Sequence, residues 1–477
     1  MKLPESLTLD AFVGADEAVS SDLAAIAGSW GVSGEVLEQQ APLAPGAPVD
    51  AADWAHPEIG WGVVLPEPDD VAPQEKARAE DAPEPIRELI AARGDGDVPI
   101  LRYRADLGTA KLARYFADGT RQDPEVGLTP FGVARGRLPL YLLIVGTPTE
   151  IPWKLQFSLN RRHHVGRLDL SPEGLENYVA ALLTDWQGLD SEPTKPVVWS
   201  VSFDSMTQKM ETTLSSQIKL ALEGDNELRN SVNWIHGDAA TCSGLVEALS
   251  ATKPSVVVTS SHGKTGPLDN QAAMRETLGL PVGVNQETLD ADELLAAWAP
   301  SGAVWFAQAC CSAGANKGTS YGGLLRADSL ADRVVRAVGT LGPSVAPLPT
   351  RLLGAAKPIR AFVGHVEPTF DWTLIVSDTG QFLTAPLVDA VYPNLYRRWP
   401  IGLALDAHYR GVGDLYGKLK DARDDVDDAI GGALERATYY KLTATDRESI
   451  VILGDPTVAI PPLPSQRRGE HGSAAVP

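Results

Sequence analysis

The sequence predicts an α/β fold in which a parallel sheet carries helices on both faces. Two observations support this prediction. From about residue 99, apolar runs of strand length alternate with segments whose apolar residues recur at helical spacing. The run LPLYLLIVG at 138–146 is continuously apolar and bounded by Pro and Gly, as a strand buried on both faces should be.

The alternation assigns each element in chain order. Strands are predicted at VPILRYR, LPLYLLIVG, 196–203, 232–237, 255–263, 302–310, 359–367 and 449–460. Helices are predicted at 84–94, 108–119, 171–188, 206–224, 240–252, 290–300 and around 413–440.

Composition shifts divide the chain into four parts. Residues 1–95 are rich in Pro, Ala and acid with little periodicity, and they predict a loosely built N-terminal arm with a regulatory role. Residues 96–192 predict a smaller α/β subdomain, and residues 193–463 predict the main α/β domain. The tail, residues 464–477, is predicted to be disordered.

Charge and cysteine content exclude several classes of protein. Among 477 residues, 41 are Lys or Arg and 62 are Asp or Glu, which gives a formal net charge of −21. Phosphate contacts need clustered basic residues, so neither nucleic acid nor an anionic membrane is an expected partner. No apolar run approaches the ~20 residues of a membrane span, and no signal peptide is recognisable. With only three cysteines, the chain fits a soluble protein of the reducing cytoplasm.

Two short stretches carry the residues suited to chemistry. His262 follows the apolar run of VVVTSSHGKTG (256–266), and Cys310 follows that of VWFAQACCSAG (304–314). Neighbouring parallel strands end at one edge of a sheet, which is where a catalytic His–Cys dyad needs both side chains. Gly263 allows close backbone approach, so the N–H groups of Gly263 and Cys310 are the expected oxyanion donors.

The choice of nucleophile rests on where the apolar run ends. Cys310 closes that run, whereas Cys311 would face the opposite side of an extended strand and is the alternative nucleophile. Cys242 is expected to be an inert core thiol. His236 also precedes a glycine but lies farther from Cys310 in sequence, so it is the weaker candidate. No HExxH or paired CxxC motif occurs, so neither a metal nor a cofactor is expected.

The stretches QAC (308–310) and SHG (261–263) resemble the caspase-like cysteine peptidase superfamily, clan CD. Because Gly314 stands four residues after Cys310, the pattern is more similar to the gingipain-like and CHAT-type bacterial branch than to true caspases. Further similarity extends the resemblance to about residues 138–461. It implies a caspase-like (caspase-haemoglobinase) fold preceded by a smaller subdomain, and cysteine endopeptidase activity in residues 193–463 without an obligatory cofactor.

The resemblance also implies where substrate specificity is set. The pocket for the residue before the scissile bond would be built after the first and fifth strands of the main domain. Asp204 occupies the first place, and Glu367, Phe370, Asp371 and Trp372 occupy the second. A buried carboxylate there would select Arg or Lys through charge-assisted hydrogen bonds. Asp204 is equally well placed to cap the helix that begins near Met206.

Protein or peptide substrates are the expected partners, and latency until activation is expected of an intracellular protease. The arm before residue 95, the loops after Cys310 with their basic residues Arg326 and Arg333, and an activating or inhibitory protein partner are candidates for that control. The resemblance to the bacterial branch also implies a role in defence or signalling. Two alternatives stay open: a catalytically silent caspase-like scaffold that binds a partner protein, and a transferase or ligase that uses the same acyl-enzyme.

Overall fold

The structure is a computed structural model that describes residues 3–14, 18–34, 49–94, 98–376 and 379–466. Residues 467–477, which make up most of the predicted disordered tail, lie outside the described residues, as do residues 35–48 of the predicted arm.

Twenty strands occur within the described residues. In chain order they are β1 Ser6–Thr8, β2 Ala11–Phe12, β3 Ser20–Asp22, β4 Trp61–Pro66, β5 Ile100–Tyr103, β6 Ala113–Tyr115, β7 Arg121–Gln122, β8 Tyr141–Val145, β9 His164–Leu168, β10 Val197–Ser200, β11 Asn233–Ile235, β12 Val256–Ser260, β13 Gly263–Lys264, β14 Val304–Gln308, β15 Gly314–Ala315, β16 Ser344–Val345, β17 Ala361–His365, β18 Ile375–Val376, β19 Gln381–Phe382 and β20 Ile450–Gly454.

Sixteen α-helices occur in the same described ranges. They are α1 Ala27–Val32, α2 Pro73–Ala77, α3 Glu84–Arg93, α4 Trp153–Asn160, α5 Pro172–Leu183, α6 Ser205–Met210, α7 Ser216–Glu223, α8 Cys242–Thr252, α9 Gln271–Thr277, α10 Ala291–Ala297, α11 Leu330–Thr340, α12 Pro347–Gly354, α13 Ala385–Asp389, α14 Ile401–Ala404, α15 Asp406–Asp427 and α16 Ala433–Glu448. Several begin at polar caps: the Ser171 hydroxyl accepts the Gly174 N–H at 3.2 Å and starts α5 as the sequence predicts.

Twelve strands form one sheet in the order β11-β10-β12-β14-β17-β20-β9-β8-β4-β5-β6-β7. Strands β10, β11, β12, β14 and β17 are mutually parallel and are called here the C-terminal half-sheet. Strands β4 to β9 are called the N-terminal half-sheet, in which β9, β8, β4 and β5 are parallel. The protein is therefore an α/β fold with a large, mostly parallel sheet.

Strand β20 joins the two half-sheets and reverses their direction. It pairs antiparallel with β17 and parallel with β9. A Cβ at Gly166 of β9 would lie 2.0 Å from the Gly454 carbonyl oxygen, so this junction needs glycine for close backbone approach. Because of the reversal, the carboxyl ends of the two half-sheets' parallel strands lie at opposite edges of the sheet.

Helices cover both faces of the N-terminal half-sheet. Leu143 of β8 packs in a cluster with Leu89 of α3 and Leu175 of α5. The next residue back, Leu142, packs in a different cluster with Leu155 of α4. Successive strand residues point to opposite faces, so α3 and α5 lie on one face and α4 on the other.

Each half-sheet contains a point where the chain connections diverge. In the C-terminal half-sheet, β11 lies on one side of β10 and β12 on the other. In the N-terminal half-sheet, β5 and β8 flank β4 in the same way. Ligands in doubly wound α/β proteins sit beyond the carboxyl ends of strands at such points. The sheet therefore offers two such positions, one at each edge.

Three details differ from the sequence predictions. The predicted arm contains β4, an interior strand of the sheet, so its apolar run WGVVLP belongs to the folded body. Residues 108–119 hold strand β6 rather than a helix, because Arg114 pairs with Leu101 of β5. The small subdomain also shares one sheet with the main domain.

No helix in the described part of the chain is both long and apolar enough to cross a membrane.

Candidate functional site

The candidate site lies beyond the carboxyl ends of β10, β12 and β14. Ser260, the last residue of β12, is in register with Ser200 of β10 and with Gln308 of β14. His262 lies two residues after Ser260, and Cys310 lies two residues after Gln308. The structure therefore brings together the two loops that the sequence predicts for the dyad.

Gly263 puts the backbones of these two loops in contact. A Cβ at this position would lie 1.9 Å from the Cys310 carbonyl oxygen and 3.0 Å from its nitrogen. A side chain of any size would force the loops apart, so the glycine is required for the approach that the sequence predicts.

Both ring nitrogens of His262 are bonded to carboxylates. The Nδ1 atom lies 2.8 Å from Asp10 Oδ1, and the Nε2 atom lies 2.7 Å from Asp204 Oδ2. Burial alone would lower the pKa of His262, but the hydrogen bonds to Asp10 and Asp204 outweigh it and raise the pKa to about 9. His262 is thus a buried imidazolium at neutral pH, with each N–H donating to a different acid.

Asp204 takes two roles at once. As the N-cap of α6 it accepts the Thr207 N–H at 2.8 Å through Oδ1, while Oδ2 faces His262. Burial raises its pKa, but the bond to His262 and the cap bonds together lower it to about 2. The capping role foreseen in the sequence is therefore present, and the carboxylate predicted for a substrate pocket is bonded to His262.

Asp10 is a site residue that the sequence analysis missed. Its side chain is fully buried against His262. The backbone N–H of Cys310 lowers the pKa of the same carboxylate slightly. Burial raises the pKa of Asp10 to about 6, against the opposing influence of His262. Its Oδ2 atom has no hydrogen-bond partner among the described residues. Nothing in LTLDAFVG distinguishes this acid from an ordinary loop residue.

Asp10 is held in place by the surrounding backbone of residues 6–12, called here the N-terminal segment. Strand β2 pairs in parallel with β13, with Ala11 opposite Gly263. On the other side, the Asp10 N–H donates to the Thr369 carbonyl at 3.0 Å. Leu9 forms a bridge with Phe370. The segment thus lies across the site, between the loop after β12 and the loop after β17.

The Cys310 thiol is inaccessible in this arrangement. It is fully buried, and the Thr369 N–H donates to its Sγ at 3.1 Å. Burial raises the pKa of the thiol well above its usual value. Cys310 is therefore a neutral, buried thiol, and both ring nitrogens of His262 are already engaged by carboxylates.

Cys311, the alternative nucleophile, has a left-handed backbone with φ of 55° and is also fully buried. Burial raises the pKa of its thiol as well. Its N–H donates to the Glu367 carbonyl at 3.3 Å, which ties the turn after β14 to the loop after β17. Cys242 is a buried thiol at the first residue of α8, and burial raises its pKa to about 12.

Three of the residues predicted for a specificity pocket, Asp204, Glu367 and Trp372, lie in different surroundings. Glu367 is buried, and its Oε1 accepts hydrogen bonds from Ser320 Oγ at 3.1 Å and Asn316 Nδ2 at 3.3 Å. Burial raises its pKa to about 7. Trp372 is buried edge-on against Tyr439, with ring centroids 4.9 Å apart. Since Asp204 is bonded to His262, the described contacts do not assemble these three into one pocket.

His236, the weaker histidine candidate, lies apart from this arrangement. His236 is exposed and stacks on Trp234, with ring centroids 4.9 Å apart. No group of three or more His, Cys, Asp or Glu side chains within the described ranges is arranged to hold a metal ion.

Comparisons with known proteins give no family. No family model matches the chain. No curated protein matches it either. Among solved structures, one described as "Structure of Protease" aligns with 68% of this chain and 65% of its own length, at 12% identity and a TM-score of 0.40. A likeness at this level carries no functional argument, and the alignment spans slightly less than two thirds of that protein.

Proposed function

We propose that the protein is a caspase-like cysteine endopeptidase in which His262 and Cys310 form the catalytic dyad. One observation carries the proposal: these residues follow the adjacent parallel strands β12 and β14, next to the point of diverging connections at β10, with Gly263 against the Cys310 backbone. The sequence resemblance to the gingipain-like and CHAT-type branch of clan CD supports the same assignment.

In the proposed reaction, Cys310 Sγ attacks the carbonyl carbon of the scissile peptide bond. The N–H groups of Gly263 and Cys310 stabilise the oxyanion. The thiol proton passes through His262 to the leaving amine, the C–N bond breaks, and a thioester remains on Cys310. Water then adds to the thioester with His262 as base, which releases the acid and restores the thiol. The reaction needs no metal or cofactor.

The described arrangement supports the latent form of this enzyme. A competent dyad needs an accessible thiol and an imidazole nitrogen free for proton transfer. Here the thiol is buried and both nitrogens of His262 are bonded to Asp10 and Asp204. Three free, buried cysteines suit a reducing compartment such as the bacterial cytoplasm, where such a protease would act in defence or signalling once activated.

The most specific part of the proposal is a preference for a basic residue before the scissile bond. Asp204 is occupied by His262, so Glu367 is the carboxylate that we assign to this pocket. Glu367 lies two residues beyond β17. Its carbonyl accepts the Cys311 N–H, so Glu367 lies beside the turn that follows Cys310. A buried carboxylate that gains a guanidinium or ammonium partner discriminates strongly against neutral side chains.

The test is hydrolysis of a peptide library that varies only the residue before the cleavage point, by a chain from which residues 3–14, which lie across the site, have been removed. We expect cleavage after Arg or Lys, loss of all cleavage in Cys310→Ala, and retention in Cys311→Ala, which is the matched control on the neighbouring thiol. Preference for apolar or acidic residues would contradict the assignment of Glu367. Full activity in Cys310→Ala would contradict the dyad itself.

The buried thiol also keeps the scaffold alternative open. A catalytically silent chain would bind its partner equally well with or without Cys310, and it would hydrolyse no peptide under any condition of activation. Capture of an added amine by the acyl-enzyme would instead identify a transferase or ligase.

A further inference from the structure

The N-terminal segment makes contacts on both sides of the proposed site. Ala11 and Phe12 add a strand to Gly263 and Lys264, directly after His262. On the opposite side, the Thr8 N–H donates to Asp371 Oδ1 at 3.1 Å. Leu7 and Leu9 of the N-terminal segment are fully buried. A chain that binds here must lie between these two loops, and the N-terminal segment already does so.

Strand addition is a common way for a protein to bind an extended peptide. The edge that β13 offers to β2 begins at Gly263, whose backbone is one of the two expected oxyanion donors. A substrate bound for cleavage at Cys310 must approach the same backbone. The N-terminal segment and an extended substrate therefore compete for one edge.

The Asp10 side chain also occupies the position where charge would develop. Its carboxylate is hydrogen-bonded to His262 Nδ1. The Cys310 N–H lowers the pKa of the same carboxylate. These are the groups expected to face the oxyanion and the leaving amine of a bound peptide. A carboxylate is also the product of peptide hydrolysis, so Asp10 presents the charge and shape of a product to the site.

The hold of the N-terminal segment is suited to release. Asp10 Oδ2 is buried without a partner in the described residues, which is costly for a carboxylate. A separate contact retains the chain nearby: Trp30 Nε1 of α1 donates to the Ser320 carbonyl at 3.1 Å, and Lys441 Nζ donates to the Trp30 carbonyl at 2.6 Å. Residues 6–8 also pair with β3, so release of residues 6–12 must break this short ladder as well, while α1 stays docked on α16.

We infer that residues 6–12 act as a built-in competitive inhibitor, in which the Asp10 carboxylate occupies the oxyanion position and strand β2 occupies the substrate edge. Activation consists of displacing this segment, by cleavage between it and α1 or by a partner that binds it. The inference rests on the proposed function, because it describes the regulation of the same site. When the segment leaves, His262 Nδ1 is freed and the Cys310 thiol is uncovered.

The test measures alkylation of each cysteine by iodoacetamide, resolved by peptide mass spectrometry, in the full chain and in variants. Asp10→Asn keeps the shape but removes the charge, and deletion of residues 3–14 removes the N-terminal segment. Glu5→Gln is the matched control, since it makes the same chemical change at an exposed carboxylate beside the segment. Cys242 serves as an internal control for folding, because it is buried in α8 outside this arrangement.

We expect Asp10→Asn to raise the alkylation rate of Cys310 by about tenfold, as loss of a charge-assisted hydrogen bond implies, and the deletion to raise it further. Glu5→Gln should leave the rate unchanged, and Cys242 should react equally slowly in all variants. An unchanged Cys310 rate in the deletion variant would overturn the inference. So would a parallel rise at Cys242, because it would mean general unfolding instead of local uncovering.

A peptide of residues 3–14 provides a second measurement that does not depend on the stability of the variants. Added to the deletion variant, it should slow alkylation of Cys310, and the same peptide with Asp10→Asn should slow it less. Equal effects of both peptides would contradict the role of the carboxylate.

Peptide hydrolysis separates this inference from the proposed function. Uncovering of Cys310 without any hydrolysis would refute the endopeptidase while leaving the covering role of the segment intact. Equal hydrolysis by the full chain and the deletion variant would establish the enzyme and refute inhibition by the segment.

Discussion

The two half-sheets share one architecture but carry different chemistry at their points of diverging connections. In the C-terminal half-sheet, the loops after the strands bring Asp204, His262 and Cys310 to one place. In the N-terminal half-sheet, the corresponding loops line a cavity of about 300 Å³ with Pro66, Gly146 and the acids Asp81, Glu150 and Asp169.

This difference shows that topology sets where a site can form, and that a few residues after the strands decide what it does. The lining of the N-terminal cavity contains no Cys and no His. Because β20 reverses the strand direction, the cavity lies at the opposite edge of the sheet from the dyad. The two positions are therefore chemically and spatially separate.

Buried charge also serves different ends in the two half-sheets. Arg167 of β9 is fully buried, and all its donor groups are bonded: Nε to Gln156 Oε1 at 3.0 Å, Nη1 to the Gly146 carbonyl at 2.9 Å, and Nη2 to the Ile151 carbonyl at 2.8 Å. Asp10 is equally buried but leaves one oxygen unpaired. The first charge holds the fold together, whereas the second suits a contact that must be released.

The largest expected effect on stability comes from Arg167→Met. Three acceptors, two of them in buried residues, would lose their donors, so we expect the free energy of unfolding to fall by roughly 3–5 kcal/mol. Urea denaturation followed by circular dichroism measures this loss. Asp10→Asn, in the same measurement, should lower the free energy of unfolding by only about 1–2 kcal/mol, because it weakens one charge-assisted hydrogen bond. Equal losses in both variants would remove the distinction between the two buried charges.

A smaller effect should distinguish acids of the two half-sheets by their pH dependence. Burial raises the pKa of Glu367 from its ordinary value of 4.5 to about 7, so the folded state binds its proton more tightly than the unfolded state does. Stability from this group is fully present below about pH 4.5 and is lost as pH rises to about 7, by about 3 kcal/mol in total. Glu367→Gln should remove that part of the slope.

Asp169→Asn is the matched control in the N-terminal half-sheet. Burial raises the pKa of Asp169 too, but this side chain is partly exposed, so its variant should flatten the pH profile much less. Thermal unfolding between pH 4 and pH 8 measures both profiles. A larger change in Asp169→Asn than in Glu367→Gln would contradict the comparison.

The sequence predicts the strand ends that precede His262 and Cys310 far better than it predicts the chain segment that covers these residues. His262 and Cys310 follow long apolar strands, and local patterns of this kind report strand ends directly. Asp10 reaches His262 across 252 positions of sequence, and no periodicity near Asp10 signals that contact. Long-range pairing of a two-residue strand such as β2 leaves almost no trace in local composition.

The same reasoning explains the errors in the fold. WGVVLP is a short apolar run between Pro-rich stretches, so composition concealed an interior strand. In residues 108–119, Leu112, Ala113, Tyr115 and Phe116 fit either period, and pairing with β5 decides for a strand. The reversal at β20 depends on the junction at Gly166, which only the three-dimensional arrangement reveals.

The central claim is that Cys310 is a nucleophile activated by His262 once the N-terminal segment is gone. The most direct measurement is labelling of the variant lacking residues 3–14 with a peptide acyloxymethyl ketone that carries Arg before the reactive group, with the adduct located by mass spectrometry. We expect one adduct, on Cys310, that is lost in His262→Ala. An adduct on Cys311 or Cys242, or labelling of Cys310 that is unaffected by His262→Ala, would contradict it.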